Sequence, residues 1–229
     1  MKEVFANEWL GINFKEVTKI SNKELPDKSF YESFYSCLFK KYDSIENLPE
    51  IWIQEKRKSS EYLLNILKHH SAKKVLSIGS GLRVIENFIA ITDPSIKLYC
   101  EDIGSLHNDF IKDHKNVIPL SFKDIGNYSY DLVYINNVDY ALTDKVYFEL
   151  LKKLKNLNFG FIFMSDIFLQ EKMTLRNHIG HKLKKLLGWQ LWGYVRKLNE
   201  HKKIFHEVGL IVLNEGEDER GRQYFLMTK

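Results

Sequence analysis

From Lys73 onward, short apolar runs alternate with stretches of helical period, and that alternation constrains the fold more than any other feature of the chain. Strands are predicted at Val75–Ile78, Lys97–Cys100, Val117–Leu120, Leu132–Ile135 and Phe159–Met164. Helices are predicted between them at Val84–Ile91, at roughly Leu106–His114 and at Thr143–Leu157. A strand buried on both faces reads as a continuous apolar run, and an intervening helix returns the chain for parallel pairing. The expectation is an α/β fold with a mostly parallel sheet and helices on both faces. The end of the chain differs. A helix over Leu198–Val208 leads into "LIVLNEG", the polar turn "ERGR" and "QYFLMTK". That pattern predicts a C-terminal antiparallel hairpin.

Residues 1–72 form an expected helical extension with an aromatic face. Phe30, Tyr31, Phe34, Tyr35, Leu38, Phe39 and Tyr42 recur at helical spacing, and Ser29 with Glu32 has the spacing of a capping box. Pro49 is placed to begin a second helix carrying Trp52, Ile53, Leu63, Leu64 and Leu67. Residues 1 to 28 show no clear period.

The 229 residues suit one large domain, or a domain with an appendage, and 44% apolar content suffices for a core. No run of about 18 uncharged apolar residues is present, and the opening residues lack a signal-peptide core. The two cysteines, Cys37 and Cys100, belong to no CxxC motif, so neither a metal site nor a disulfide framework is expected. A cytoplasmic location follows as the expectation. Charge is uneven. Lys172 to Lys203 carries nine Lys or Arg and one acid, Glu200, in a chain of formal charge +4. An acidic partner should meet this segment.

The stretch "KKVLSIGSGLRVIENFIAI" places Gly79, Ser80 and Gly81 between a strand and a helix. A dinucleotide fingerprint needs a third glycine where Val84 stands, and a phosphate-binding loop needs Gly-Lys-Ser/Thr. A pyrophosphate cofactor is therefore disfavoured, whereas a nucleoside cofactor remains compatible. Such a ligand needs close backbone approach and an acid at the end of the next strand for its ribose. "IKLYCEDIGS" ends in Glu101 and Asp102. Asp102 is the first choice, because Asp-Ile-Gly has turn-forming chemistry, and Glu101 is the second. Neighbouring strand residues face opposite ways, so one of them serves the ligand.

These residues resemble the class I S-adenosylmethionine-dependent methyltransferases, a Rossmann-like family, over about residues 73–229. "VLSIGSGLR" resembles the first motif and "LYCEDIG" the second-strand segment. "YDLVYINNVDYAL" resembles the fourth-strand motif, and "ELLKKLKNLNFGFIFMSD" the following helix and fifth strand. The C-terminal hairpin resembles the family's last two strands. The resemblance implies S-adenosylmethionine as cofactor, held by Gly79, Ser80, Gly81, Glu101, Asp102 and Asn136. Two departures stand out: Ser77 where the family often has an acid, and Arg83 near the place of a third glycine. Arg83 pairs with the cofactor carboxylate in one reading and is a solvated first-turn residue in the other.

Residues ending the fourth and fifth strands, Asn136, Asn137, Asp139 and Asp166, fall on the acceptor side of such a fold. Asp166, His178 and His181 are the candidate catalytic groups, with histidine titrating near neutrality. The plainer readings are helix caps for Asn137 and Asp139, a turn for Asp166, and surface positions for the histidines. "NNVDY" lacks the prolines found in relatives that methylate base or glutamine nitrogen. The expected activity is thus methylation of a small molecule, with O-methylation of a sugar or nucleotide-sugar favoured and the acceptor acidic or phosphorylated. Rival readings are aminocarboxypropyl transfer on the same fold, and a non-catalytic module bound to RNA or membrane.

The segment at about 170–197 is expected as an insertion. It sets Leu175, Ile179, Leu183 and Leu186 or Leu187 on one helical stripe beside lysines, with Trp189, Trp192 and Tyr194 following. A basic amphipathic helix of this kind suits an anionic membrane or a phosphorylated substrate, and nucleic acid is not the expected partner. The plain alternative is a helix packed on the domain with its lysines in water. With the N-terminal helices it is placed to form a lid over the acceptor.

Overall fold

A computed structural model describes residues 1–17, 20–104 and 114–229. The chain runs β1 (Lys2–Ala6), β2 (Glu8–Trp9), β3 (Ile12–Asn13), α1 (Lys28–Lys41), α2 (Glu50–His69), β4 (Lys74–Ile78), α3 (Val84–Thr92), β5 (Lys97–Glu101) and β6 (Val117–Pro119). It continues through β7 (Ser129–Asn136), α4 (Asp144–Lys155), β8 (Asn158–Ile167), α5 (Leu175–Leu186), β9 (Gln190–Val195), α6 (Leu198–Val208), β10 (Ile211–Glu217) and β11 (Gln223–Thr228). All but the last residue of the helix expected at Leu106–His114 lies outside the described residues.

Seven strands form the main sheet in the order β10-β11-β8-β7-β4-β5-β6. The pairs from β8 through β6 are parallel, and β10–β11 and β11–β8 are antiparallel. The C-terminal hairpin is therefore where the sequence puts it. The predicted strands all form, and β7 and β8 extend beyond their apolar cores by three or more residues. Asp131 aids the register: its Oδ2 accepts from the Lys73 and Lys74 N–H groups at 2.7 and 2.8 Å, tying the start of β7 to β4.

Side chains alternate across the sheet. Leu76, Ile78, Val133 and Ile135 meet Tyr147, Leu151 and Leu154 of α4 and Phe205 of α6. Val75, Leu98, Leu132 and Tyr134 meet Leu63, Leu64 and Leu67 of α2 and Ile85 and Ile89 of α3. So α2, read from sequence as part of an extension, is one of the helices covering the sheet. Its leucines recur at the spacing that sheet packing needs.

Three local expectations are corrected. The N-terminal region is not wholly helical, because β1 pairs antiparallel with β9 and β2 pairs with β3. Segments this short carry too few residues for a visible period. The cap of α1 is Asp27, whose Oδ1 accepts from the Phe30 N–H at 2.8 Å, and not Ser29. Aspartate caps the helix two residues earlier, so the orphan donor is the Phe30 N–H and not that of Glu32. The insertion is not a helix alone but α5 followed by a strand, β9; α5 lies against β1 with no residue fully buried and with its leucines exposed. A third core joins Phe14 to Phe30, Phe34 and Leu38 of α1 and to Leu82 and Val84 behind the glycine loop, with Trp192 of β9 packed against it. No described helix is long and apolar enough to cross a membrane.

Candidate active site

Strand β4 pairs with β5 on one side and β7 on the other, so chain order reverses across it. Crevices at such a reversal, beyond the carboxyl ends of the strands, bind ligands in open α/β sheets. The glycine loop lies there. Gly79 (φ 65°) and Gly81 (φ 53°) are left-handed, and so is Arg83 (φ 54°), the residue immediately before α3. Where the related pattern has a further glycine, this chain holds an arginine in a conformation that strains an L-residue by about 1–2 kcal/mol. The loop hangs on β5. Ser80 N–H donates to the Glu101 carbonyl at 3.0 Å, and Gly81 N–H donates to Asp102 Oδ2 at 2.8 Å.

The two neighbouring acids divide their work. Asp102 accepts Gly81 N–H on one oxygen and Gly104 N–H, at 2.9 Å, on the other. It holds the loop in shape. Glu101 is buried and lines the cavity below the loop. Burial, with the Asp102 charge, pushes its carboxyl up to about 7, against the Gly79 N–H that favours the ionised form. A carboxylate desolvated in this way is poised for ligand hydroxyls. Asp102, the first choice from sequence, makes the turn and lines the same cavity.

At the other end of the loop, Ser77 Oγ donates to Glu86 Oε1 at 2.5 Å, and both side chains are buried. Burial raises the Glu86 pKa, and the Ser77 hydrogen bond and the Lys56 charge oppose the rise. Lys56 of α2 donates from Nζ to Asn136 Oδ1 at 3.0 Å, and desolvation lowers its pKa although Asp166 and Glu86 pull the other way. Ser77, Arg83, Glu86, Lys56 and Asn136 all line one cavity. It therefore presents an acid and two cations within reach of one ligand end. Glu86 and Lys56 were missed in the sequence. The available signal for Glu86 was a lone acid on the apolar helix "VIENFIAIT".

The cavity measures about 1050 Å³ and runs from the loop to an aromatic chamber. Tyr31 and Tyr35 of α1, Tyr140, Trp9, Trp52 and Trp192 bound it. Trp192 stacks on Phe14 at 4.7 Å and lies 6.2 Å from Tyr140, so β9 and the N-terminal segment close the chamber together. Burial raises the Tyr31 and Tyr35 phenols well above their ordinary value and Tyr140 likewise, keeping all three neutral.

Of the candidate catalytic groups, His181 lines the cavity, and Asp166 and His178 do not. His181 Nδ1 accepts the Phe5 N–H at 3.2 Å, and burial with Lys184 and Lys2 lowers its pKa, so the ring is neutral with its proton on Nε2. Asp166 (φ 60°) pairs with Arg220 at 2.5 Å, accepts from Ser59 Oγ at 2.7 Å and contacts Asn136 Nδ2. Asn137 (φ 52°) lines the cavity, with its N–H on the Ser165 carbonyl. Asp139 is buried away from the cavity near Arg196, and burial lifts it to about 6.

No protein-family model matches the chain, and no curated protein matches it in sequence. Solved structures match in fold. TnmH aligns with a TM-score of 0.61 at 14% identity, over 78% of this chain and 56% of that one. Human N-acetylserotonin methyltransferase, solved with S-adenosylmethionine, aligns at 0.56 and 12% identity, over 77% and 56%. Magnesium protoporphyrin IX methyltransferase (ChlM) from Synechocystis PCC 6803, solved with S-adenosylhomocysteine, aligns at 0.63 and 13% identity, over 88% and 97%. The chain spans about half the length of the first two and nearly all of the third. Its fold is that of the class I S-adenosylmethionine-dependent methyltransferases, as the glycine loop and strand order define it.

Proposed function

We propose that the protein transfers a methyl group from S-adenosylmethionine to a hydroxyl oxygen of a small, flat, acidic acceptor. The observation that carries this reading is the single cavity joining the glycine loop and Glu101 to an aromatic chamber. The cofactor fits the donor set. Glu101 would accept the ribose hydroxyls, Glu86 the ammonium of the methionine end, and Lys56 with Arg83 its carboxylate. Gly79 and Gly81 leave the loop backbone bare for close approach. When bound, the cofactor supplies an electrophilic methyl group and its own sulfide leaving group.

The protein's part is then to align the acceptor, exclude water and manage one proton. Tyr35 stands over the loop, its hydroxyl 3.5 Å from where a Cβ on Gly81 would lie. His181, with Nδ1 held by Phe5, offers Nε2–H to an acceptor oxygen. Taking a proton would require Nδ1 to give up that bond, so His181 positions the oxygen, and the acceptor proton leaves to solvent or to another group.

A sugar, favoured on sequence, needs carboxylates or amides around its hydroxyls. Among the described lining residues the carboxylates are Glu86, Glu101 and Asp102, all beside the loop, and the amides are Asn136 and Asn137 at the end of β7 and Asn177 of α5. The chamber instead offers ring faces, which suit an aromatic acceptor, and Lys28 and Lys123 favour an acidic group on it. The free thiols Cys37 and Cys100 support a cytoplasmic setting.

Calorimetric titration with S-adenosylhomocysteine tests the cofactor, followed by product analysis with phenolic acids and nucleotide-sugars side by side. Binding by the wild type that Glu101→Gln weakens, and methylation of a phenolic acid, are expected. No binding by folded protein would overturn the reading in favour of a binding module. Release of methylthioadenosine would overturn it in favour of aminocarboxypropyl transfer.

A further inference from the structure

Helix α5 is mounted with its apolar side outward. Leu175, Ile179, Leu183 and Leu186 stand at i, i+4, i+8 and i+11, on one stripe, and are 74%, 59%, 55% and 84% exposed. Leu187, 65% exposed, continues it. The polar side faces the protein. Asn177 and His181 line the cavity, His181 Nδ1 takes the Phe5 N–H, and Lys185 pairs with Glu3 of β1 at 2.6 Å. A helix that served only to cover the domain would be turned the other way, since burying five such side chains is worth several kcal/mol.

The charge pattern identifies what covers the stripe. Helix α5 carries Arg176, Lys182, Lys184 and Lys185 and no acid. Arg176 and Lys182 flank the stripe on its two sides: Arg176 precedes Ile179 by three residues, and Lys182 precedes Leu186 by four. An apolar stripe rimmed by cations on one convex helix matches the boundary between anionic headgroups and acyl chains. A second copy of the chain matches it poorly, because face-to-face stripes would bring the flanking cations together.

We propose that the protein binds anionic membrane surfaces through the outward stripe of α5, with Arg176 and Lys182 in the headgroup layer. This goes beyond the methyl-transfer reading and does not depend on it. Because the opposite side of the same helix lines the cavity, docking would hold the cavity close to the bilayer surface.

Co-sedimentation of the full chain with vesicles of phosphatidylcholine and phosphatidylglycerol, against phosphatidylcholine alone, tests the proposal. The wild type is expected to sediment with the anionic vesicles, and high salt should weaken it. Ile179→Asp with Leu183→Asp, both at exposed positions, should cut the bound fraction at least about tenfold. Arg176→Glu with Lys182→Glu should do the same while leaving the apolar stripe whole. Circular dichroism melting of each variant reports that the fold is kept. Wild type that ignores anionic vesicles, or variants that bind as the wild type does, would overturn the proposal. So would a wild-type dimer, seen by light scattering, that the aspartate pair converts to monomer, because the stripe would then join two copies.

Discussion

Ser77 on β4 and Glu86 on α3 form a buried hydrogen bond, Ser77 Oγ to Glu86 Oε1 at 2.5 Å. The resembled family often carries its acid at the strand position itself. Here the strand contributes a hydroxyl, and the following helix contributes the carboxylate from the other side of the loop. In the proposed reading the chemistry of the position is kept, and its place in the chain has moved by nine residues.

Glu86→Gln should weaken S-adenosylhomocysteine binding about ten- to a hundredfold, since hydrogen bonds to charged groups are worth about 1.5–3 kcal/mol. The glutamine can still accept from Ser77, so the thermal midpoint should hold or rise as a buried charge is removed. Ser77→Asp added to Glu86→Gln should recover part of the affinity. Unchanged affinity in the single variant, read by calorimetry, would show that Glu86 is a structural acid.

Glu101, as the proposed ribose anchor, should make cofactor affinity depend on pH. Its carboxyl lies at about 7 in the free protein, and ribose hydroxyls donate to the ionised form. Binding therefore releases a proton, and affinity for S-adenosylhomocysteine should rise from about pH 6 to about pH 8 and then level. Glu101→Gln should bind more weakly and flatten the profile. A profile that keeps its slope in that variant would assign the titration to another group.

Gly79 is required twice over. Its φ of 65° disfavours a side chain, and an added Cβ would lie 2.5 Å from Val138 Cγ2. Gly79→Ala should destabilise the fold by about 1–3 kcal/mol in urea titration and abolish cofactor binding. Val138→Ala in the same chain should return the steric part and leave the backbone strain, so only partial recovery of the urea midpoint is expected.

Arg196 is fully buried and organises the turn that carries Tyr140. It donates to the Asp139 and Leu142 carbonyls at 2.6 and 2.5 Å and to Asp144 Oδ1 at 2.8 Å. Arg196→Leu leaves those acceptors behind and should lower stability by about 3–5 kcal/mol. Arg196→Lys has one compact ammonium for three divergent partners and should recover less than half of the loss. A urea midpoint near the wild type in Arg196→Leu would contradict this account.

The sheet was legible because its signals are local. Val75–Ile78 and Lys97–Cys100 lie within a residue of strands β4 and β5, since a both-sided apolar run needs no distant partner to be read. The glycine loop and the acidic pair were legible for the same reason. That Asp102 also fixes the loop was not, because that depends on how Gly81 and Gly104 present their N–H groups to it. Strand β1 escaped notice because its partner, β9, lies nearly two hundred residues away, and β2 and β3 because each is two residues long.

The sequence by itself determined the α/β order, the place of the loop, the basic segment and the existence of an apolar stripe on α5, which follow from apolar runs, glycine spacing, local charge and a period of 3.6 residues. Tertiary structure alone decided that Glu86 meets Ser77, that Lys56 of α2 reaches Asn136, and that the α5 stripe faces outward. Those outcomes rest on contacts between separate elements, from nine residues apart for Ser77 and Glu86 to 182 for Glu3 and Lys185. Periodicity says which side chains share a face. Only packing says what that face meets.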